Sequence, residues 1–215
     1  MDSEIDFYQI YYREDQLGEL YTFAKPYYNN HLTKFFENSV IAELVPQSTA
    51  KRICVASWRL KQKRGGLIRV KKQLLINDLI DDYDVAILTP RSPTHKPMVM
   101  ARQWHGIAWD NAITELKKFI KVPKELKYTI YENHFVASAD LYKSYVDDCL
   151  IPCMQFMSSN DVFNAPSGYK KRKSKEDLIF VQNQTGFDDW TIAPFILERL
   201  FSIWINDKNL KVVNK

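Results

Sequence analysis

Glycine is scarce in this 215-residue chain, with six in all, and the scarcity speaks against several chemistries at once. The sequence contains no G-x-G-x-x-G and no Walker-type loop. That weighs against a Rossmann dinucleotide site and against P-loop phosphate binding. The G-x-S-x-G elbow and the H-E-x-x-H pattern are missing too. Cysteine is limited to Cys54, Cys149 and Cys153. An odd count without zinc-type spacing predicts reduced thiols in a cytosolic setting. With four scattered histidines, a hydrolase triad or zinc centre finds little support. No apolar run approaches the roughly 18 residues that span a membrane, and Met1-Asp-Ser-Glu has neither the basic nor the apolar region of a signal peptide. A large excess of one charge is absent as well: 30 basic and 26 acidic residues leave +4. That is too mild for a dedicated nucleic-acid binder, and suits a phosphorylated small molecule or an anionic membrane surface.

What is present suffices for a core. Hydrophobic residues make up 46% of the chain and aromatic residues 13%, so no metal or disulfide is needed to hold it together. Short apolar runs at 7–12, 53–57 and 85–88 read as strands. Helical periodicity appears at 35–44, 71–82, 109–120, 140–157 and 191–205, where Leu197, Leu200, Phe201 and Trp204 share a face. Pro152 should kink its helix. Residues 128–137 hold one or two strands around Glu132, Asn133 and His134. The stretch 89–106, with three prolines, reads as a long loop with His105 in a lid position. The segment 166–177 reads as a basic flexible loop. Alternation of short strands with helices predicts an α/β fold with a mixed sheet flanked by helices. It forms a single domain over 1–205, followed by a polar tail, 206–215, that frays.

Asp81-Asp82-x-Asp84 has the composition of a metal-binding cluster, but it precedes its strand, which favours a solvated helix end. Asp84 either binds a ligand or caps the chain turn. Arg59, at a strand end, suits bidentate phosphate contacts or a surface ion pair. Trp58 stacks on a base or sugar, or sits at a core edge. Glu198 flanks the apolar stripe of the last helix, as a catalytic base or a structural ion-pair member, with Arg199 on the far side of that helix.

Several segments resemble, in the same order, the glycosyltransferase-like domains of bacterial capsular-polysaccharide gene clusters. Phe35-Phe36-Glu37-Asn38 resembles that family's acidic, aromatic helix near its start. Residues 53–62 resemble its strand ending in an aromatic–arginine pair. Residues 78–88 resemble its Tyr-Asp passage, 132–157 its strand beginning with Asn, and 195–205 its closing helix with Glu-Arg-Leu. Where the family often has His-Tyr-Arg-Arg, this chain has Ser57, Trp58, Arg59 and Leu60, and no clear D-x-D is visible.

The resemblance implies a GT-A-like fold that transfers sugar from a nucleotide-sugar to a surface-polysaccharide or lipid-linked acceptor, in the cytoplasm or peripherally at a membrane. Glu198 is then the candidate catalytic base. Trp58, Arg59, Asp84, Asn133, His134 and Arg199 are the candidate donor-binding residues, and a divalent cation, Mn or Mg, is the candidate cofactor. The eroded strand-end motif leaves a second reading, a non-catalytic carbohydrate- or partner-binding domain. A third, nucleic-acid binding through the basic stretches 59–72 and 170–175, is weaker.

Overall fold

The computed structural model describes residues 5–30, 33–62, 83–89, 96–128, 130, 132–168 and 174–214. The predicted helix at 71–82, with Asp81 and Asp82, and the basic run 170–173 lie outside these residues. Six strands form one mixed sheet: β1 (Ile5–Tyr11), β2 (Lys25–Tyr28), β3 (Arg52–Ser57), β4 (Val85–Ile87), β5 (Phe135–Ser138) and β6 (Val212–Asn214). Their order is β2-β1-β3-β5-β4-β6. β1 pairs in parallel with β2 and β3, and β4 with β6, while β5 runs antiparallel to both β3 and β4. Five strands therefore point the same way, and β5 alone is reversed.

β3 is buried along its whole length, the signature of a central strand covered on both faces. Successive residues serve opposite faces. Ile53 and Val55 join one apolar cluster, and Cys54 and Ala56 join the other with Phe7 and Leu88. The larger cluster lies beneath α1 (Glu37–Gln47), α2 (Pro97–Phe119), α3 (Ala139–Tyr145), α4 (Ile151–Ser158) and α6 (Ala193–Trp204). At its centre Phe201 stacks on Phe135 with ring centroids 4.0 Å apart. α5 (Lys175–Thr185) is capped by the Ser174 side chain, which accepts from the Asp177 N–H, and closes at Gly186 in the left-handed region.

The structure corrects four expectations. The loop read over 89–106 gives way to α2 at Pro97, a first-turn position where the missing N–H of proline leaves no hydrogen bond unmade. α2 is continuous to Phe119 except at Gly106, whose φ of 57° breaks the helical geometry. His105 is therefore not on a lid: it is buried, 2.8 Å from the Ser167 carbonyl through Nδ1 and 4.3 Å from the Phe195 ring centroid. The tail does not simply fray, because Val212–Asn214 pairs with β4 as an edge strand. The end of the basic loop is helical from Lys175, as α5. Pro152 is accommodated by a π-helical turn over Val146–Leu150, between α3 and α4, a known way of absorbing a helix irregularity.

Candidate functional site

β1 and β3 run side by side, with Ile10 paired to Ser57, so Tyr12, Trp58 and Arg59 emerge together at their carboxyl ends. The reversed β5 begins at that same end and brings Glu132 and Asn133 beside them. Crevices at the carboxyl ends of α/β strands are the usual ligand sites of such sheets. Here the crevice is a cavity of about 350 Å³, within the range of small-molecule pockets. The first turn of α1 supplies Phe36 and Glu37. α2 supplies Trp104, α5 supplies Asp177 and Phe180, and α6 supplies Pro194, Phe195, Glu198 and Arg199. Trp190, between α5 and α6, completes the wall.

Among the described residues, three other than glycine have positive φ: Phe36 at 52°, Glu132 at 58° and Asn133 at 55°. All three line the cavity. For Phe36, with ψ at −130°, this is backbone an L-residue rarely adopts. Such strain costs on the order of 1–3 kcal/mol per residue and clusters at functional sites. Here it turns the chain so that Glu37 opens α1 facing the cavity and Glu132 folds back toward β5.

The charged groups are arranged in pairs. Arg199 is 1% exposed. Its Nη1 donates to the Phe195 carbonyl at 2.6 Å and lies 3.3 Å from Glu198 Oε2, and its guanidinium stands over the Trp109 ring at 5.3 Å. Arg13 Nη1 lies 3.6 Å from Asp177 Oδ1. Gln16 Oε1 accepts from the backbone N–H of Tyr12 at 2.8 Å, fixing the turn after β1. Arg59 lies over the Trp58 ring at 5.1 Å. Beneath the cavity, Ser57 Oγ is 3.2 Å from His134 Nε2, and His134 Nδ1 is 3.5 Å from Glu132 Oε2. This buried chain ties the end of β3 to the start of β5.

Burial raises the Glu37 carboxyl, as does the charge of Glu132. The Tyr12 hydroxyl, the helix backbone and Arg59 oppose the shift. Burial also holds the Tyr12 hydroxyl well above its ordinary value, reinforced by Glu37 and Glu198 and opposed by Arg59.

Five of the residues singled out from the sequence come together here: Trp58, Arg59, Asn133, Glu198 and Arg199. Arg199, expected on the far side of its helix, is instead buried against the cavity, because its guanidinium finds the Phe195 carbonyl and the Trp109 face. His134 is fully buried and lies behind the wall rather than in it. Asp84 does not line the cavity. It sits at the opposite end of the sheet, where its Oδ2 accepts the Lys211 backbone N–H at 2.7 Å, a cap on the β4–β6 pairing.

Sequence reasoning missed Tyr12, Glu37, Glu132, Asp177 and Trp190 as site residues. The signal for Asp177 was available in Ser174-x-x-Asp177 and Gly186, which mark a helix start and stop. Nothing local marks the others. Among the described residues, no three His, Cys, Asp or Glu side chains are grouped so as to hold a metal ion, and no helix is long and apolar enough to cross a membrane. No family model, curated protein or solved structure matches the chain.

Proposed function

We propose that this chain is a glycosyltransferase of GT-A-like fold that moves a sugar from a nucleotide-sugar donor to a surface-polysaccharide or lipid-linked acceptor. One observation carries the reading. Trp58–Arg59, Asn133 and Glu198–Arg199, three separate stretches that the family resemblance singles out, meet in one cavity at the carboxyl ends of β1 and β3. A mixed sheet flanked by helices is the architecture this reading calls for.

In this reading Trp58, Trp104 and Trp190 offer aromatic faces to the base or the sugar ring. Arg59 donates to the diphosphate oxygens. Arg199, 3.3 Å from Glu198, holds that carboxylate in place. The acceptor hydroxyl oxygen attacks the anomeric carbon, and its proton passes to Glu198. The bond from that carbon to the diphosphate oxygen breaks, and the diphosphate leaves with the electron pair. The resemblance also implies a divalent cation, Mn or Mg. The described residues contain no cluster fit to hold one, and the steps above use the chain's own groups alone. A lipid-linked acceptor would place the protein's work at a cytoplasmic membrane surface.

Calorimetric titration with a panel of nucleoside diphosphates and their sugars, with and without Mn or Mg, tests the proposal. Binding of at least one donor, with its turnover on a glycan acceptor, is the expected result; no binding to any of them overturns it. The internal pairing of Arg199 with Glu198 and of Arg13 with Asp177 favours a second reading, a non-catalytic carbohydrate-binding cavity. That reading predicts sugar binding with no donor turnover.

A further inference from the structure

Four histidines scattered along the chain hide a grouping that folding creates. Ser57 ends β3 and His134 stands just before β5, 77 positions apart in sequence. β3 and β5 are antiparallel neighbours, so the end of one meets the start of the other. There Ser57 Oγ lies 3.2 Å from His134 Nε2, and His134 Nδ1 lies 3.5 Å from Glu132 Oε2. A hydroxyl, an imidazole and a carboxyl follow one another in the order of a serine nucleophile, its base and the group that orients the base. The second contact is long for a hydrogen bond, and contacts of this kind often tighten only when substrate binds.

The surroundings fit a reactive group as well as a structural tie. Ser57 is part of the cavity lining, while His134 is fully buried behind it. Glu132 and Asn133 have φ of 58° and 55°, backbone uncommon in residues other than glycine. These two residues fold the chain back so that Glu132 faces the imidazole two positions ahead. Strain of this kind persists where surrounding structure enforces it, and it clusters at active sites. A carboxyl oxygen facing Nδ1 favours the tautomer with its proton there, which leaves Nε2 to accept from the Ser57 hydroxyl.

We infer that Ser57 is a nucleophile activated by His134 and positioned through Glu132, and that this cavity cleaves short-chain carboxylic esters whose alcohol half carries a ring. The inference goes beyond sugar transfer and does not depend on it. Trp58, Trp104 and Trp190 give the ring aromatic faces, and the cavity, about 350 Å³, suits a small acyl group. Ser57 Oγ attacks the carbonyl carbon, and its proton passes to His134 Nε2. Arg59 and Asn133, in the same lining, carry N–H groups to meet the charge on the carbonyl oxygen. The bond from carbon to the alcohol oxygen then breaks. That oxygen leaves with the electron pair and takes the proton from His134. Water attacks the acyl-serine and gives a proton to His134; the bond to Ser57 Oγ breaks, and the proton returns to the serine. The products are an alcohol and a carboxylic acid.

Two measurements on the full chain test the inference. The first is treatment with a fluorophosphonate, whose phosphorus takes the serine oxygen as fluoride leaves. Peptide mass mapping should place the phosphonyl group on Ser57 and find none there in Ser57→Ala. The second is hydrolysis of p-nitrophenyl acetate. Wild type should turn it over, and Ser57→Ala should fall to the rate in buffer. His134→Gln should lower kcat/KM about 10²–10⁴-fold, and Glu132→Gln should lower kcat with KM held. Melting curves accompany each variant; should His134→Gln not fold, the mapped adduct and Ser57→Ala decide alone. No adduct at Ser57, or equal ester turnover in wild type and Ser57→Ala, overturns the inference. An unchanged kcat in Glu132→Gln overturns it too, by reducing the chain of contacts to a structural tie. None of these outcomes bears on the transfer reading, which stands or falls on the donor titration.

Discussion

At the amino ends of the strands, Asp84 accepts the Lys211 N–H at 2.7 Å, Arg52 donates to the Tyr83 carbonyl at 2.8 Å, and Asp6 is held by Lys25 and Ser48. At the carboxyl ends, Glu37, Glu132, Glu198, Arg59 and Arg199 line a cavity, and the backbone has positive φ at Glu132 and at Phe36, just before Glu37. Both ends are rich in charge, yet the first uses it to tie strand ends to neighbouring segments. The second holds it beside strained backbone and among aromatic side chains. Charge alone does not mark a site in this protein. Strained backbone around partly buried charge does, because only surrounding structure can maintain an arrangement that local energetics oppose.

Substitutions at each end can break or sharpen that contrast. The largest effect is expected at the cavity: Glu198→Gln, whose amide oxygen can still accept from the buried Arg199, should lower donor turnover about 10²–10⁴-fold, the usual worth of a positioned general base. Steady-state assays beside a melting curve check it, and full activity would move the base elsewhere. Next is the core beneath both ends, where Phe201, 1% exposed, stacks on Phe135. Phe201→Ala should cost about 3–5 kcal/mol in denaturant unfolding. A loss below about 1 kcal/mol would mean that this stack is not the centre of the core.

Asp84→Ala should cost about 1 kcal/mol through its lost backbone hydrogen bond and leave ligand affinity unchanged. A large affinity loss would make the two ends of the sheet one functional system. Smallest is Glu37→Gln read as stability. The folded-state value of Glu37 is raised, so wild type is relatively most stable below the unfolded carboxyl value near 4.3 and loses ground as pH rises through the folded one. The melting temperature of Glu37→Gln should match wild type in acid and exceed it increasingly toward neutral pH. A constant difference across pH would mean that Glu37 is not perturbed.

Much of the scaffold was legible locally. β1, β3 and α6 were read from the sequence because each has a strong apolar period of its own: the run Ile53–Ala56 is buried on both faces, and the Leu197–Phe201 stripe lies on one side of a helix. The start of α2 is hidden in the sequence because prolines signal loops, although at a first helical turn proline leaves no hydrogen bond unmade. β6 was illegible. Three residues of a polar tail form a strand only because β4 offers them an open edge.

The candidate site divides in the same way. Residue type and position relative to a strand end singled out Trp58, Arg59, Asn133, Glu198 and Arg199. They did not reveal that Glu37 and Tyr12 stand among them, since α1 and the end of β1 are distant in sequence from α6. They left Asp84 open between a ligand role and a cap, and its bond to the Lys211 N–H decides for the cap. The sequence by itself determined which stretches are buried and how they alternate, since burial follows apolar period and propensity. Only the tertiary structure decided which charges face one another. That depends on strand order and on the reversal of β5, both products of long-range packing that no local pattern encodes.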